Sequence, residues 1–125
     1  MGKKIMVVDD ASAIRQVVGH VLSTEGYDVI EATNGSEALV KLNGQEVDMF
    51  ICDVNMPVMD GINFLKKVKT EDSFSRYRFA PFIMLTTESG EDRIAEGKQA
   101  GAKVWLVKPF QPQKLLDAVK KMMPQ

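Results

Sequence analysis

The sequence predicts an α/β fold: a doubly wound, five-stranded parallel sheet with five helices distributed over its two faces. Three observations carry that prediction. Short runs that are apolar at nearly every residue recur along the 125-residue chain. Between them lie longer stretches with apolar residues at helical spacing, and the junctions carry glycine, proline, asparagine or acidic residues. Runs that are apolar on both sides belong in a sheet covered on both faces. Strands alternating with helices then give parallel pairing through right-handed crossovers.

The elements follow in order. Lys4 to Asp9 is apolar, partly β-branched and closed by acid, so it reads as a buried strand. Ser12 to Glu25 places Ile14, Val17, Val18, Val21 and Leu22 at helical spacing, and Gly26 ends the helix. Tyr27 to Ala32 is the second strand. Asn34-Gly35-Ser36 turns into a helix carrying Ala38, Leu39 and Leu42 that stops near Gly44. Val47 to Asp53 is the third strand, again closed by acid. The turn-rich segment Asn55-Met56-Pro57-Val58-Met59-Asp60-Gly61 leads into a helix with Ile62, Leu65 and Val68. Glu71 to Pro81 is a longer, irregular connection, and its Phe74, Tyr77 and Phe79 read as local packing. Phe82 to Leu85 is the fourth strand, and Thr86-Thr87-Glu88-Ser89 opens the fourth helix. Val104 to Val107 is the fifth strand, and the last helix runs from Pro112, suited to a first turn, to Met122.

Composition bounds the function. The chain is 45% apolar and 26% charged, with formal net charge −1. That length and balance predict one domain over residues 1–125. The charge provides no basic field for nucleic acid or anionic lipid. No apolar run approaches the ~20 residues that span a bilayer. Met1-Gly2-Lys3-Lys4 precedes only a strand-like run, which is not a signal peptide, and Met6 stands where a myristoylation signal needs Ser or Thr. With a single cysteine, no internal disulfide forms. The expectation is a cytoplasmic monomer.

In open α/β sheets, ligands sit beyond the carboxyl ends of the strands. The residues there are Asp9, Asp10, Asp53, Thr86 and Lys108. If the first and third strands are neighbours, three carboxylates share one pocket. Two carboxylates ~4 Å apart repel by roughly 4 kcal/mol at an effective dielectric near 20, so protons, a cation or another positive group must neutralise them. Lys108 offers one charge. Oxygen donors, with no His or Cys at ligand spacing, suit magnesium. Singly, Asp10 or Ser12 also reads as a cap of the first helix.

The acid pair Asp9-Asp10, the segment Asp53-Val54-Asn55-Met56-Pro57-Val58-Met59-Asp60-Gly61, Thr86, and Lys108-Pro109-Phe110 stand in order on the right elements. Together they resemble bacterial response-regulator receiver domains over essentially the whole chain. That resemblance implies the flavodoxin-like strand order 2-1-3-4-5. It implies that Asp53 accepts a phosphoryl group from the phosphohistidine of a histidine kinase. Asp10, Asp53 and the Asn55 carbonyl would ligate Mg2+, with Asp9 acting through water. Thr86 and Lys108 would engage the phosphoryl oxygens, and the Lys108–Pro109 bond would be cis. Asn55 and Glu88 would border the path of the hydrolytic water. Such a chain is not an enzyme beyond its own phosphorylation and dephosphorylation.

Three features depart from the family's habit. Trp105 replaces a smaller switch aromatic, Thr87 is bulkier than the usual neighbour of the switch threonine, and the 71–81 connection is long. Lys108 and Trp105, three apart, should face opposite sides of the sheet, with Trp105 toward the surface between the fourth and fifth helices. Fifteen residues follow Phe110, which predicts output by binding. The expected partners are a chemotaxis-type kinase and a flagellar switch, docked through the helix 4–strand 5–helix 5 face. A phosphorelay intermediate or developmental regulator is the alternative.

Two rivals fit poorly. An aspartyl phosphatase of the haloacid-dehalogenase kind wants Asp-x-Asp on the first strand, and a flavin carrier wants a hydroxyl- and glycine-rich loop where Asp9-Asp10 stands. His20 reads as structural and Cys52 as a small buried hydrophobe. Met122 and Met123 read as packing. Glu91, Asp92, Arg93, Glu96 and Lys98 read as a solvated helix face.

Overall fold

The computed structural model describes residues 3–87 and 91–123, with the side chains of Glu91 and Asp92 excepted. Five strands form one sheet: β1 (Lys4–Val8), β2 (Asp28–Ala32), β3 (Met49–Asp53), β4 (Phe82–Thr86) and β5 (Val104–Val107). They lie in the order β2-β1-β3-β4-β5, and every pairing is parallel. The helices are α1 (Ser12–Thr24), α2 (Gly35–Leu42), α3 (Gly61–Thr70), α4 (Glu91–Ala100) and α5 (Pro112–Met122). No helix among the described residues is long and apolar enough to cross a membrane.

Alternation along the strands divides the core in two. Met6, Val8, Phe50, Cys52, Phe82 and Met84 pack on one face with Ala38 and Leu42 of α2 and Ile62, Phe64, Leu65 and Val68 of α3. Ile5, Val7, Met49, Ile51, Ile83 and Leu85 face the other way, against Val18 and Leu22 of α1 and Leu115 and Val119 of α5. Phe50 anchors the first layer, stacked on Phe82 at 4.6 Å and edge-on to Phe64 at 5.6 Å. Such aromatic pairs each contribute about 0.5–1.5 kcal/mol beyond the area they bury.

Local chemistry sets the helix starts. Asn34 caps α2 by accepting from Glu37 N–H, and Asp60 caps α3 by accepting from Asn63 N–H. The start of α1 differs from expectation. Its cap position is Ala11, without a side-chain cap, because Asp9 Oδ1 already accepts the Ala11 N–H at 2.9 Å. Neither Asp10 nor Ser12 caps the helix.

The connection after α3 is more ordered than its sequence indicates. Asp72–Tyr77 forms a 3-10 helix, and Tyr77, buried, donates its hydroxyl to the Gln45 carbonyl at 2.6 Å. Phe74 packs against the same core layer. Phe79 does not. It is 93% exposed, so the reading of all three aromatics as packing holds for two. Cys52 is fully buried and His20 exposed.

Candidate functional site

The register of the central strands assembles the site. Val8 pairs with Cys52, so Asp9, one residue further, comes abreast of Asp53. Thr86 pairs with Val107, which places Lys108 just past the end of β5. By the alternation above, Asp9, Asp53 and Lys108 share the parity of Ile5, Ile51 and Leu106, while Thr86 and Trp105 share that of Met84. Lys108 and Trp105 thus lie on opposite sides of the sheet, as their spacing predicts.

Asp9 is completely buried and Asp53 nearly so, whereas Asp10 is exposed. Carboxylate oxygens of these three residues lie within 4.8 Å of one another. Lys108 Nζ sits 2.9 Å from Asp9 Oδ2 and 3.2 Å from Asp53 Oδ1. Burial, and then the neighbouring Asp9 charge, raise the Asp53 pKa to about 6 against the pull of Lys108. For Lys108, burial disfavours the ammonium, but the hydrogen bond to Asp9 and the charges of Asp53 and Asp9 outweigh it and hold its pKa above the ordinary lysine value. Burial, then the Asp53 and Asp9 charges, push the Cys52 thiol well up, which makes it an inert neighbour rather than a nucleophile.

The donor set fits a hard divalent cation. Three carboxylates cluster with one ammonium, which pairs with Asp9 and Asp53, leaving two negative charges uncompensated in a partly desolvated pocket. All the donors are oxygens, and the exposed edge at Asp10 leaves room for water. That combination suits magnesium better than a softer ion.

The rim is formed by the remaining expected residues. Thr86 is buried at the end of β4, and Thr87 and Asn55 are exposed. With Val54, Arg93, Ile94 and Trp105, these three line a cavity of about 100 Å³. Trp105 is half-buried; its Nε1–H donates to the Ala102 carbonyl at 3.1 Å. Its ring lies over Gly97 of α4, where an added Cβ would stand 2.6 Å from Cη2. The Lys108–Pro109 bond is cis. Glu88 lies outside the described residues.

Several supporting residues have contacts that the sequence did not assign to them. Arg15 Nη1 donates to the Asp9 carbonyl at 2.6 Å and Nε pairs with Glu31 at 3.2 Å, bracing the end of β1 against α1 and β2. Gly61 N–H donates to the Val54 carbonyl at 2.9 Å, and a Cβ there would collide with the Asp53 carbonyl. Arg93 pairs with Asp60 at 2.9 Å and with Glu96 at 3.3 Å, and Glu96 also pairs with Lys66. Arg93 and Glu96 therefore form a bridge from α4 to α3, not a merely solvated face.

A parallel sheet of this order, with an acidic trio and a lysine at its carboxyl edge, is the arrangement of a signalling receiver domain. The response regulator receiver domain family matches residues 5–120, and the chain belongs to that family. It is 41% identical to chemotaxis protein CheY1 of Helicobacter pylori over 91% of each chain. It is 38% identical to sporulation initiation phosphotransferase F of Bacillus subtilis, over 99% of this chain and 96% of the relative. Chemotaxis protein CheY4 of Vibrio cholerae superposes with a TM-score of 0.90 at 45% identity, covering 98% of this chain and all of the other.

Proposed function

We propose that residues 1–125 form one receiver domain that takes a phosphoryl group onto Asp53 from a histidine kinase and signals by a changed protein-binding surface. The observation carrying this reading is the cluster of Asp9, Asp10 and Asp53, with Lys108 paired to Asp9 and Asp53, at the carboxyl edge of the sheet. Lys108 engages Asp53 Oδ1 and so orients the carboxylate for in-line attack on phosphorus. As the new O–P bond forms, the N–P bond to the kinase imidazole breaks and the imidazole leaves. Phosphoryl transfer asks the protein for positioning and charge neutralisation, and Lys108 with the Thr86 hydroxyl provides both for the equatorial oxygens. Asp10, Asp53 and the Asn55 carbonyl would hold Mg2+, with Asp9 contributing through water. The ion's role when bound is to offset the negative charge shared by carboxylates and phosphoryl group. Exposed Thr87 stands at the entrance, and Asn55 borders the route of the water that hydrolyses the acyl phosphate.

The output we propose is through the α4–β5–α5 face onto a flagellar switch within a cytoplasmic chemotaxis pathway, a reading supported by the likeness to chemotaxis proteins. Kinship to a sporulation phosphotransferase favours a phosphorelay as the second reading. Acetyl phosphate with magnesium should add one phosphoryl group by intact mass, and Asp53→Asn should remove it. Equal labelling of that variant would place the acceptor elsewhere. A panel of purified phosphorylated kinases then separates the two pathways.

A further inference from the structure

We infer that the amino-terminal edge of the sheet carries a second docking surface, centred on Phe79, for a partner segment bearing a carboxylate beside a large apolar side chain. Phe79 is held out rather than left loose. Lys69 Nζ donates to the carbonyls on either side of it, Arg78 at 2.7 Å and Ala80 at 2.8 Å. Arg78 Nε returns a bond to the Lys69 carbonyl at 3.2 Å. This reciprocal clamp fixes the backbone of the segment while the ring stands 93% exposed. An aromatic presented on a fixed backbone pays little ordering entropy when a partner covers it.

Beside the ring lies a groove of about 330 Å³ with Pro81, Phe82, Gly101, Lys103 and Met122 in its walls. Its floor is apolar and its rim is basic. Lys69 lies 5.3 Å from the Phe82 ring centroid. Burial, and then the charge of Lys103, hold the Lys69 pKa below the ordinary lysine value. Among the described residues no ion pair engages Lys69 or Lys103, and Arg78 reaches only the fully exposed Asp72, at 3.8 Å. Three cations and one carboxylate thus leave a local charge near +2 on a chain whose net charge is −1. A carboxylate docked here relieves the lysine–lysine repulsion, and its apolar neighbour covers Phe79. A membrane is a poorer occupant, because each basic residue adds only about 1 kcal/mol at an anionic surface and stable anchoring needs a second strong signal.

The groove lies at the start of β4 and β5, and the acidic trio lies past the opposite ends of the strands. A five-residue strand separates the two by on the order of 15 Å. A segment docked at Phe79 makes no contact with the Asp53 pocket, and would tether a partner in both signalling states.

Random dodecapeptides displayed on phage test this by selection on the immobilised full chain, with counter-selection on the double variant Phe79→Ser/Lys103→Glu. The double variant should keep the parent's circular dichroism and its labelling by acetyl phosphate. Enriched peptides should pair Asp or Glu with Phe, Leu or Met and shift the amide resonances of Phe79, Phe82, Gly101 and Lys103. Lys103→Glu alone should weaken them about tenfold or more, and Asp53→Asn should leave their affinity unchanged. Peptides lacking acids, or shifts confined to other surfaces, would overturn the inference. So would phosphatidylserine vesicles that bind the chain and lose it on Phe79→Ser, or a dimer in sedimentation abolished by that change.

Discussion

Val58 holds φ at +70° in the loop beyond Asp53, in a three-residue turn closed by Met59 N–H to the Pro57 carbonyl at 2.8 Å. A β-branched residue in that region is a genuine outlier and costs about 1–3 kcal/mol. Its side chain is 83% exposed, so it returns little packing. Val58→Asn should raise stability by about 1 kcal/mol in urea denaturation, because asparagine tolerates this backbone. An unchanged or lower midpoint would show that the turn is relaxed. Asp53 makes the opposite trade nearby. Its pKa of about 6 in the fold exceeds the ordinary 3.8, so the folded state holds its proton more tightly than the unfolded chain. The stability this confers is present below about pH 4 and lost as pH rises through 6, a loss of roughly 3 kcal/mol at 1.36 kcal/mol per unit. In chelator, Asp53→Asn should therefore be more stable than the parent at pH 7 by that order. The gap should close toward pH 4 and stay flat if Asp53 is not the group titrating.

At the scale of elements, α4 meets the sheet through one contact that its own helical pattern does not announce. Gly97 is buried under the Trp105 ring, and Ile62 of α3 would also crowd any Cβ there, at 2.9 Å. Glycine inside a helix costs about 0.5–1 kcal/mol relative to alanine, and here that cost makes room for indole. Gly97→Ala should destabilise by about 1–3 kcal/mol through overpacking, and Trp105→Phe should recover most of the loss in a double-mutant cycle. Additive effects would mean that the two residues do not meet. This pair also marks where the sequence stops being legible. The strands and their parallel pairing could be read in advance, because runs apolar at nearly every residue alternate with helical stretches, and Asp9, Asp53, Thr86 and Lys108 stand where those runs end; the order of the strands came with the family resemblance. Gly97 against Trp105, Arg15 on the Asp9 carbonyl and Arg93 on Asp60 could not, because each is a tertiary contact without a local pattern. The 3-10 helix escaped for a related reason: its anchor, Tyr77 on the Gln45 carbonyl, spans 32 residues. Phe79 escaped because composition cannot show that Lys69 clamps the carbonyls flanking it.

Across the whole molecule, on the function proposed above, a signal arising at Asp53 crosses the sheet to reach α4 and β5. The cavity of about 100 Å³ between Thr86, Thr87 and Trp105 is the space on that route. Trp105 lies against Gly97 of α4 and borders this cavity. It also helps line the groove of about 580 Å³ toward α5 with Lys108, Phe110 and Lys114. If a phosphoryl group draws the Thr86 hydroxyl toward Asp53, the cavity widens and the ring can enter. Indole is larger than the phenol or phenyl ring usual at this position in the family, so the inward state carries an overpacking cost of about 1–3 kcal/mol. Reversing a two-state population from 1:99 to 99:1 takes roughly 5.5 kcal/mol, so a cost of that size leaves activation incomplete. Because Trp105 is the sole tryptophan, its fluorescence reports the event directly. Beryllofluoride with magnesium should shift its emission to shorter wavelength and reduce acrylamide quenching, while a residual population stays quenchable. Thr86→Ala should suppress both changes, and Trp105→Tyr, followed by the amide shifts of α4, should complete the transition that indole leaves partial. Unaltered fluorescence with beryllofluoride demonstrably bound at Asp53 would make Trp105 a static packing residue and send the signal by another path.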